Sequence, residues 1–406
     1  MKKIILLSAM ASSMLLATNG DNLISLGAES RAMGGTGIAM PMGTDSVFKN
    51  PSWLAEVKGP EAMFGATLFM PDVTLKNEGT GNGEAASSQS DMSLIPAVAH
   101  ADRIDENWAY GVGMFGVSGM GTDYRGESPM KGLGEMRTNF QYMRFVPSIA
   151  YKQDNLRVGV GLTLAYGALD IAAITPDHTG ANLAPRGGGT SDDFGFGAQF
   201  GVGYTPTPNI NLGAFYQSEV ATEYENVYNF NTANDITLPD GSSYATYENL
   251  KLSQPAEYGV GVGYHDDKLR VSADVKQVLW SSADGYEQFG WDDQTVYSLG
   301  LGYSVSPEVE LRGGYSYAKS PLGNADFPAA TVGGAPMPGA NIAVFNIMGF
   351  PAISEQHITA GVGYQFNKKI GVDVAYVYSP EETLSKYGFT TTNEQNSISG
   401  ALKYKF

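Results

Sequence analysis

The chain has 406 residues, with 25 Lys and Arg against 42 Asp and Glu and a net charge of −17, which excludes a nucleic-acid binder because phosphate contact needs a basic surface. It has no cysteine, which removes disulfides, thiolate catalysis and Cys-ligated zinc or iron–sulfur sites. Charged residues make up only 17%, while glycine supplies 51 residues and tyrosine 23, a composition that suits tightly packed β-structure better than a helical bundle.

Met1-Lys2-Lys3 is a short basic start, Ile4 to Leu16 is apolar apart from three serines, and Ala17 is small. Residues 1–17 therefore read as a secretory signal peptide, cleaved near Ala17-Thr18. The apolar run is shorter than the ~20 residues a spanning helix needs, and no later stretch supplies a replacement. The exported protein is either soluble or a β-barrel in an outer membrane.

Residues 18–60 show no period-2 pattern. They hold Leu, Ile, Val, Phe and Trp with few charges, which is not the composition of a disordered tail. A plug inside a barrel lumen is the favoured reading. Asn50-Pro51 predicts a turn, and Gly34, Gly35 and Gly37 predict positive φ or close backbone approach. A nucleotide cradle is disfavoured, since no Gly-Lys-Ser/Thr and no βαβ unit accompany the glycines. Arg31 is placed to bond carbonyls of the plug or a lumenal carboxylate, a structural role favoured over ligand contact.

From residue 61 onward large apolar residues alternate with small ones, as in Val158-Gly-Val-Gly-Leu-Thr-Leu-Ala-Tyr166 and Ile370-Gly-Val-Asp-Val-Ala-Tyr376. Period 2 means strand, with one face apolar and the other small or polar. We read fourteen strands, near 61–70, 92–100, 107–118, 139–151, 155–171, 192–204, 208–222, 248–264, 267–280, 295–304, 308–318, 355–366, 369–379 and 395–406. Short connections alternate with long ones, the layout of bacterial barrels with periplasmic turns and extracellular loops. An even count places both ends on the periplasmic side. Gly-Val-Gly-Tyr ends at Tyr204, Tyr264 and Tyr364, and Gly-Leu-Gly-Tyr at Tyr303. Each tyrosine precedes a short turn, as a membrane-interface girdle requires. The final Ile398-Ser-Gly-Ala-Leu-Lys-Tyr-Lys-Phe406 alternates and can pair with the first strand to leave no open edge in lipid. The fold class is thus all-β, a 14-stranded antiparallel transmembrane barrel over 61–406, plugged by 18–60.

Arg31-Ala-Met-Gly-Gly-Thr-Gly-Ile-Ala39 followed by Asn50-Pro-Ser-Trp-Leu54 resembles the hatch of the FadL-type outer-membrane transporters. Ser52 stands where that family usually has Ala. Trp108 to Gly116 looks like the family's third strand, and Val309 to Tyr317 and His357 to Asn367 look like its late strands. The resemblance implies fourteen strands and passive transport of long-chain fatty acids or, in some members, aromatic hydrocarbons. It implies capture between extracellular loops, transfer to a lumenal pocket, and hatch rearrangement with sideways release at a kink in the third strand. Gly111, Gly113, Gly116 and Gly119 are the kink candidates, because clustered glycine weakens a ladder and permits a bulge. The other reading is that they give the hatch room to pack.

By strand parity Arg144, Arg270, Lys276 and Arg312 point into the lumen with Glu310, Asp274 and Asp373. Most are expected to pair with each other, because lumenal charges must be satisfied. Arg144 has the least obvious partner and is the candidate for a ligand carboxylate. Phe345, Ile347, Met348 and Phe350 could form an apolar capture surface, or a loop folding on itself. His100, His178, His265 and His357 are scattered and make no Ser–His–acid constellation, so no enzyme activity is expected, nor any cofactor or metal. The expected partners are a hydrophobic ligand and the surrounding outer-membrane lipid and lipopolysaccharide, with the protein a monomer. Two other readings are an aqueous porin, which needs an unplugged lumen, and an adhesive or structural barrel, which would survive loss of residues 18–60.

Overall fold

Alternating side chains, each strand hydrogen-bonded to the next, close a single antiparallel barrel. Its strands are β1 (Glu61–Asn77), β2 (Ser93–Arg103), β3 (Trp108–Met120), β4 (Arg137–Gln153), β5 (Leu156–Ala172), β6 (Ser191–Thr207), β7 (Ile210–Gln217), β8 (Glu257–His265), β9 (Leu269–Val278), β10 (Gln294–Ser304), β11 (Val309–Ala318), β12 (Gln356–Gln365), β13 (Ile370–Lys386) and β14 (Phe389–Lys405). β14 pairs with β1 from Phe389–Asn77 to Lys405–Glu61, which closes the ring. The computed structural model describes residues 18–79, 84–127, 135–176, 183–229, 236–237, 243–244, 247–323 and 326–406. The expected signal peptide at 1–17 and His178 lie outside the described residues.

The wall is turned inside out relative to a soluble protein. Leu162, Phe196 and Val260 are 63%, 75% and 60% exposed, and Val160, Leu164, Phe194, Tyr258 and Val262 beside them at period 2 are exposed as well. A continuous apolar belt of this kind has no place in water; in lipid it is the required exterior of a closed barrel. Tyr204, Tyr264, Tyr303 and Tyr364 stand exposed at the periplasmic ends of β6, β8, β10 and β12. Among the described residues no helix is long and apolar enough to cross a membrane. Leu162→Arg puts a charge in the middle of this belt and is expected to cost roughly 2–4 kcal/mol. Urea unfolding of the barrel in liposomes measures it, and an unchanged midpoint would place Leu162 outside lipid.

Three boundaries differ from the sequence reading. The strand expected at 248–264 begins at Glu257; residues 248–251 instead pair with 223–228 inside a loop. The strand expected at 208–222 ends at Gln217. The long connection expected at 380–394 is a two-residue turn, Tyr387-Gly388, with φ of +51° and +82°, the geometry that suits a tight hairpin. β1, β13 and β14 continue past the apolar belt, where segments such as Thr390 to Asn396 are polar on both faces and carry no amphipathic alternation.

Residues 18–60 fill the lumen. They form α1 (Ala28–Ala32), a 3-10 turn at Gly43–Asp45, α2 (Ser46–Lys49) and a 3-10 helix at Pro51–Glu56, nearly all buried. The small faces of the strands are their socket. A Cβ at Gly201 would lie 2.0 Å from Asn50 Oδ1, and one at Gly213 would lie 1.9 Å from the Ile38 carbonyl oxygen. The Gly-x-Gly-Tyr repeats therefore do two jobs on two faces: tyrosine to the lipid rim, glycine to the backbone of the hatch.

Candidate functional site

Among the described residues the wall's ladder is interrupted between β2 and β3. β3 pairs with β2 only from Arg103–Ala109 to Ala97–Phe115. The ladder stops beside Pro96, which has no amide hydrogen to carry it on. On its other edge β3 slips register against β4 between Gly116 and Ser118, so Val117 is the extra residue of a bulge. The freed edge of β3 is taken by the start of the hatch. Asn22 pairs with Ser118, and the Gly119 amide donates to the Asp21 carbonyl oxygen at 3.2 Å. Leu23 packs with Phe69 of β1 and Ile95 of β2, under the gap.

Of the four glycines expected at a kink, Gly116 and Gly119 flank this bulge. Gly111 and Gly113 lie below it against the hatch: a Cβ there would come 2.8 Å from Val47 and 2.8 Å from Phe48 respectively. The two readings of these glycines divide between the two pairs.

Beside the break lies a lumenal pocket of about 60 Å³, lined by Leu23, Ile24, Phe48, Phe215 and Val117 together with the charged and polar Lys49, Arg144, Gln217, Glu257, Asp274 and Lys276. Arg144 is 3% exposed. Its Nε and Nη2 have no hydrogen-bond partner, and its guanidinium sits 5.5 Å from the Tyr142 ring centroid. The amide nitrogen of Gln217, on the same lining, is also without a partner. Glu257 and Asp274 on the lining are already engaged by Lys276 and by the amides of Gly37 and Ile38, so the donors of Arg144 and Gln217 that lack acceptors are the groups able to take an oxygen-rich anionic group.

The other lumenal cations are engaged. Lys276 meets Glu257 at 2.7 Å. Arg270 meets Glu29 at 2.8 Å, Arg312 meets Glu310 at 2.9 Å and also Asp373, and Lys403 meets Asp373 at 2.7 Å and also Glu29. Glu29 belongs to α1, so this network ties the helix to β9, β11 and β14. Its charge partners hold the Glu29 carboxyl well below the usual range against the opposing effect of burial. Lys49 of α2 donates to the carbonyls of Ile24 at 3.1 Å and Gly35 at 2.6 Å, and burial pulls its ammonium down to about 7.

The hatch motif residues are all inside the barrel. Arg31 donates to the Ser25 carbonyl at 3.1 Å and the Ser397 hydroxyl at 2.6 Å, rather than to a carboxylate. Gly34, Gly35 and Gly37 have φ of +67°, +81° and +148°. The amides of Gly37 and Ile38 donate to Asp274 at 2.8 and 2.9 Å. Asn50 does more than turn the chain. Its amide nitrogen reaches the carbonyls of Ile38, Val202 and Ala214 at 2.8, 3.1 and 3.2 Å, and its Oδ1 accepts the amide and hydroxyl of Ser52, with Pro51 opening the 3-10 helix between them.

Phe345, Ile347, Met348 and Phe350 are not an open surface. They lie on and just after α3 (Gly339–Gly349), all under 9% exposed, with Phe345 stacked on Phe289 at 5.1 Å. They form the core of a closed extracellular cap: a loop packed on itself, because an apolar helix exposed to water would collapse in this way. Sequence reasoning missed Asp21, Glu29, Asp45, Glu257 and Lys403 among the buried lumenal charges. Strand parity signalled Glu257 and Lys403; the three in the hatch had no periodicity to read.

A closed barrel with a lipid-facing belt, stoppered by its own leading segment and broken beside a partly apolar lumenal pocket, defines an outer-membrane channel for poorly soluble molecules. The chain belongs to the family described as "Outer membrane protein transport protein (OMPP1/FadL/TodX)", matched over residues 7–330. It is 22% identical over 386 residues to the long-chain fatty acid transport protein of Escherichia coli K12, covering 86% of this chain and 84% of that one. Among solved structures it is similar to the toluene transporter TodX of P. putida (TM-score 0.72, 20% identity, 94% and 99% of the two chains). It is also similar to a FadL homologue of Pseudomonas aeruginosa (TM-score 0.75, 15% identity, 95% and 100%). These structural likenesses concern the fold.

Proposed function

We propose that the protein, acting as a monomer among outer-membrane lipid and lipopolysaccharide, passively takes up hydrophobic molecules that carry an acidic head. Long-chain fatty acids are the first candidates and neutral hydrocarbons the second. The observation that carries the choice is Arg144, buried on the pocket with two guanidinium nitrogens unengaged. Such a cation is costly to bury alone and gains most from a carboxylate. The pocket communicates with Val117 and Leu23, so the exit that follows is sideways, through the break between β2 and β3 into the membrane. No catalytic step and no cofactor enter this reading. Gly116 and Gly119 form the exit, while Gly111 and Gly113, with Arg31, Asn50, Pro51 and Ser52, seat the hatch. Phe345 to Phe350 serve as the packed core of the cap rather than as direct ligand contacts.

The test is reconstitution of the chain with and without residues 18–60. Fatty-acid uptake with little ion conductance is expected from the intact protein, and large conductance after removal of the segment. Large conductance in the intact protein would make it a porin. Unchanged uptake and conductance after removal would make the barrel a scaffold for its loops.

A further inference from the structure

We infer that Asp21 is a latch, fastening the leading strand of the hatch simultaneously to two extracellular loops and to the β3 bulge, so that pocket and gap stay shut until this junction parts. The inference rests on the sideways exit proposed above. Three separate parts of the chain converge on one carboxylate. Asp21 is fully buried. Its Oδ2 accepts the Tyr286 hydroxyl, from the loop between β9 and β10, and the Gln254 amide at 3.2 Å, from the loop between β7 and β8. The same Gln254 nitrogen lies 3.3 Å from Ser118 Oγ on the bulge. The backbone of Asp21 takes the Gly119 amide of β3, as described. Tyr286 is itself braced by Trp280 and Trp291, with ring centroids 4.6 and 4.8 Å away. Gly20, at φ +67°, backs onto the Trp280 ring, where a Cβ would come within 2.7 Å.

The junction is made to part. Asp21 Oδ1 has no partner, and its Oδ2 leans on the neutral donors Tyr286 and Gln254.

The absence of native cysteine makes the test clean. Antiparallel partners have Cα atoms about 4.5–5.5 Å apart, within the span of a disulfide, so the Asn22→Cys, Ser118→Cys double variant can be locked and released. In proteoliposomes, oleate uptake should fall at least about tenfold on oxidation and recover on reduction. The reduced form doubles as the control for folding. Asp21→Ala and Tyr286→Phe should each speed oleate uptake severalfold and raise hydrogen exchange of residues 18–26. Uptake unchanged under complete cross-linking overturns the latch. The sideways exit is read separately with an environment-sensitive fatty-acid analogue. Arrival in the bilayer before the internal water supports it. Arrival in the water first, with the cross-link still blocking, overturns the exit while leaving the latch supported.

Discussion

Arg144→Ala is expected to weaken binding and uptake of a long-chain fatty acid by roughly 10–100-fold and to leave uptake of a neutral aromatic hydrocarbon nearly unaltered. The magnitude follows from charge-assisted hydrogen bonds, worth about 1.5–3 kcal/mol in buried settings, at 1.4 kcal/mol per tenfold. The selectivity follows from what the pocket otherwise offers. Leu23, Ile24, Phe48 and Phe215 provide apolar contact indifferent to the head group, and the remaining lumenal cations already have anionic or carbonyl partners. Arg144→Lys should fall between, since a point charge loses the planar fork that engages both carboxylate oxygens. Binding titration with oleate, alongside uptake of toluene, checks both halves. Equal loss for the two ligands would show that Arg144 shapes the pocket and does not recognise a head group.

The pocket's volume also says what has to move. About 60 Å³ is smaller than the ~150 Å³ of an engineered cavity that admits benzene, so no candidate ligand fits without rearrangement. The two ends of the hatch are held unequally. α1 is fixed through Glu29 to cations on β9 and β14, pairs whose rupture would strand buried charges. The leading residues are held by the bridge to Ser118, the bonds at Asp21 and single hydrogen bonds from the Thr18 amide to Gln395 and from the Asn22 side chain to Glu257, none of them an ion pair. Room is gained most cheaply at the leading strand, which also lies across the gap in the wall.

How much of this could be read from the chain depended on whether a feature repeats. Period-2 alternation gave the strands because lipid on one side and a glycine-lined socket on the other impose opposite demands on neighbours, as at Val202-Gly203-Tyr204. Where the inward face is polar as well, as at the buried Thr391, Asn393 and Gln395, the contrast between faces vanishes and the signal with it, so the sequence does not reveal the Tyr387-Gly388 hairpin. The hatch could be recognised by the failure of alternation and by Arg31 to Ala39 with Asn50-Pro51. Its attachments could not. Glu29 reaches Arg270 and Lys403, and Asn22 reaches Ser118, across separations set only by closure of the barrel. The extracellular cap keeps two readings open in the sequence for a related reason: apolar residues such as Phe345 and Phe350 look alike whether they await a ligand or each other.

Asn50→Ala is expected to open the lumen. The side chain bridges hatch and wall through carbonyls of Ile38, Val202 and Ala214 and caps the 3-10 helix by accepting the Ser52 amide. The Ile38 carbonyl keeps a second donor, Trp53 Nε1 at 2.8 Å, so the alanine variant does not orphan it. What is lost is the link to β6 and β7 and the cap. At about 0.5–1.5 kcal/mol per bond and ~1 kcal/mol for a cap, hatch docking should weaken by roughly 2–4 kcal/mol. That raises the undocked fraction about 30- to 1,000-fold while the strand ladders stay whole. Planar-bilayer recordings should then show frequent large openings that are rare in the parent, and cells carrying the variant should admit a bulky hydrophilic antibiotic. Ser52→Ala removes one hydroxyl bond to Asn50 Oδ1 and keeps the bridge to the wall, so its openings should stay near the parent's. If Asn50→Ala remains as quiet as Ser52→Ala, the hatch is held by its glycine socket and ion pairs, and Asn50 only shapes the turn before Pro51.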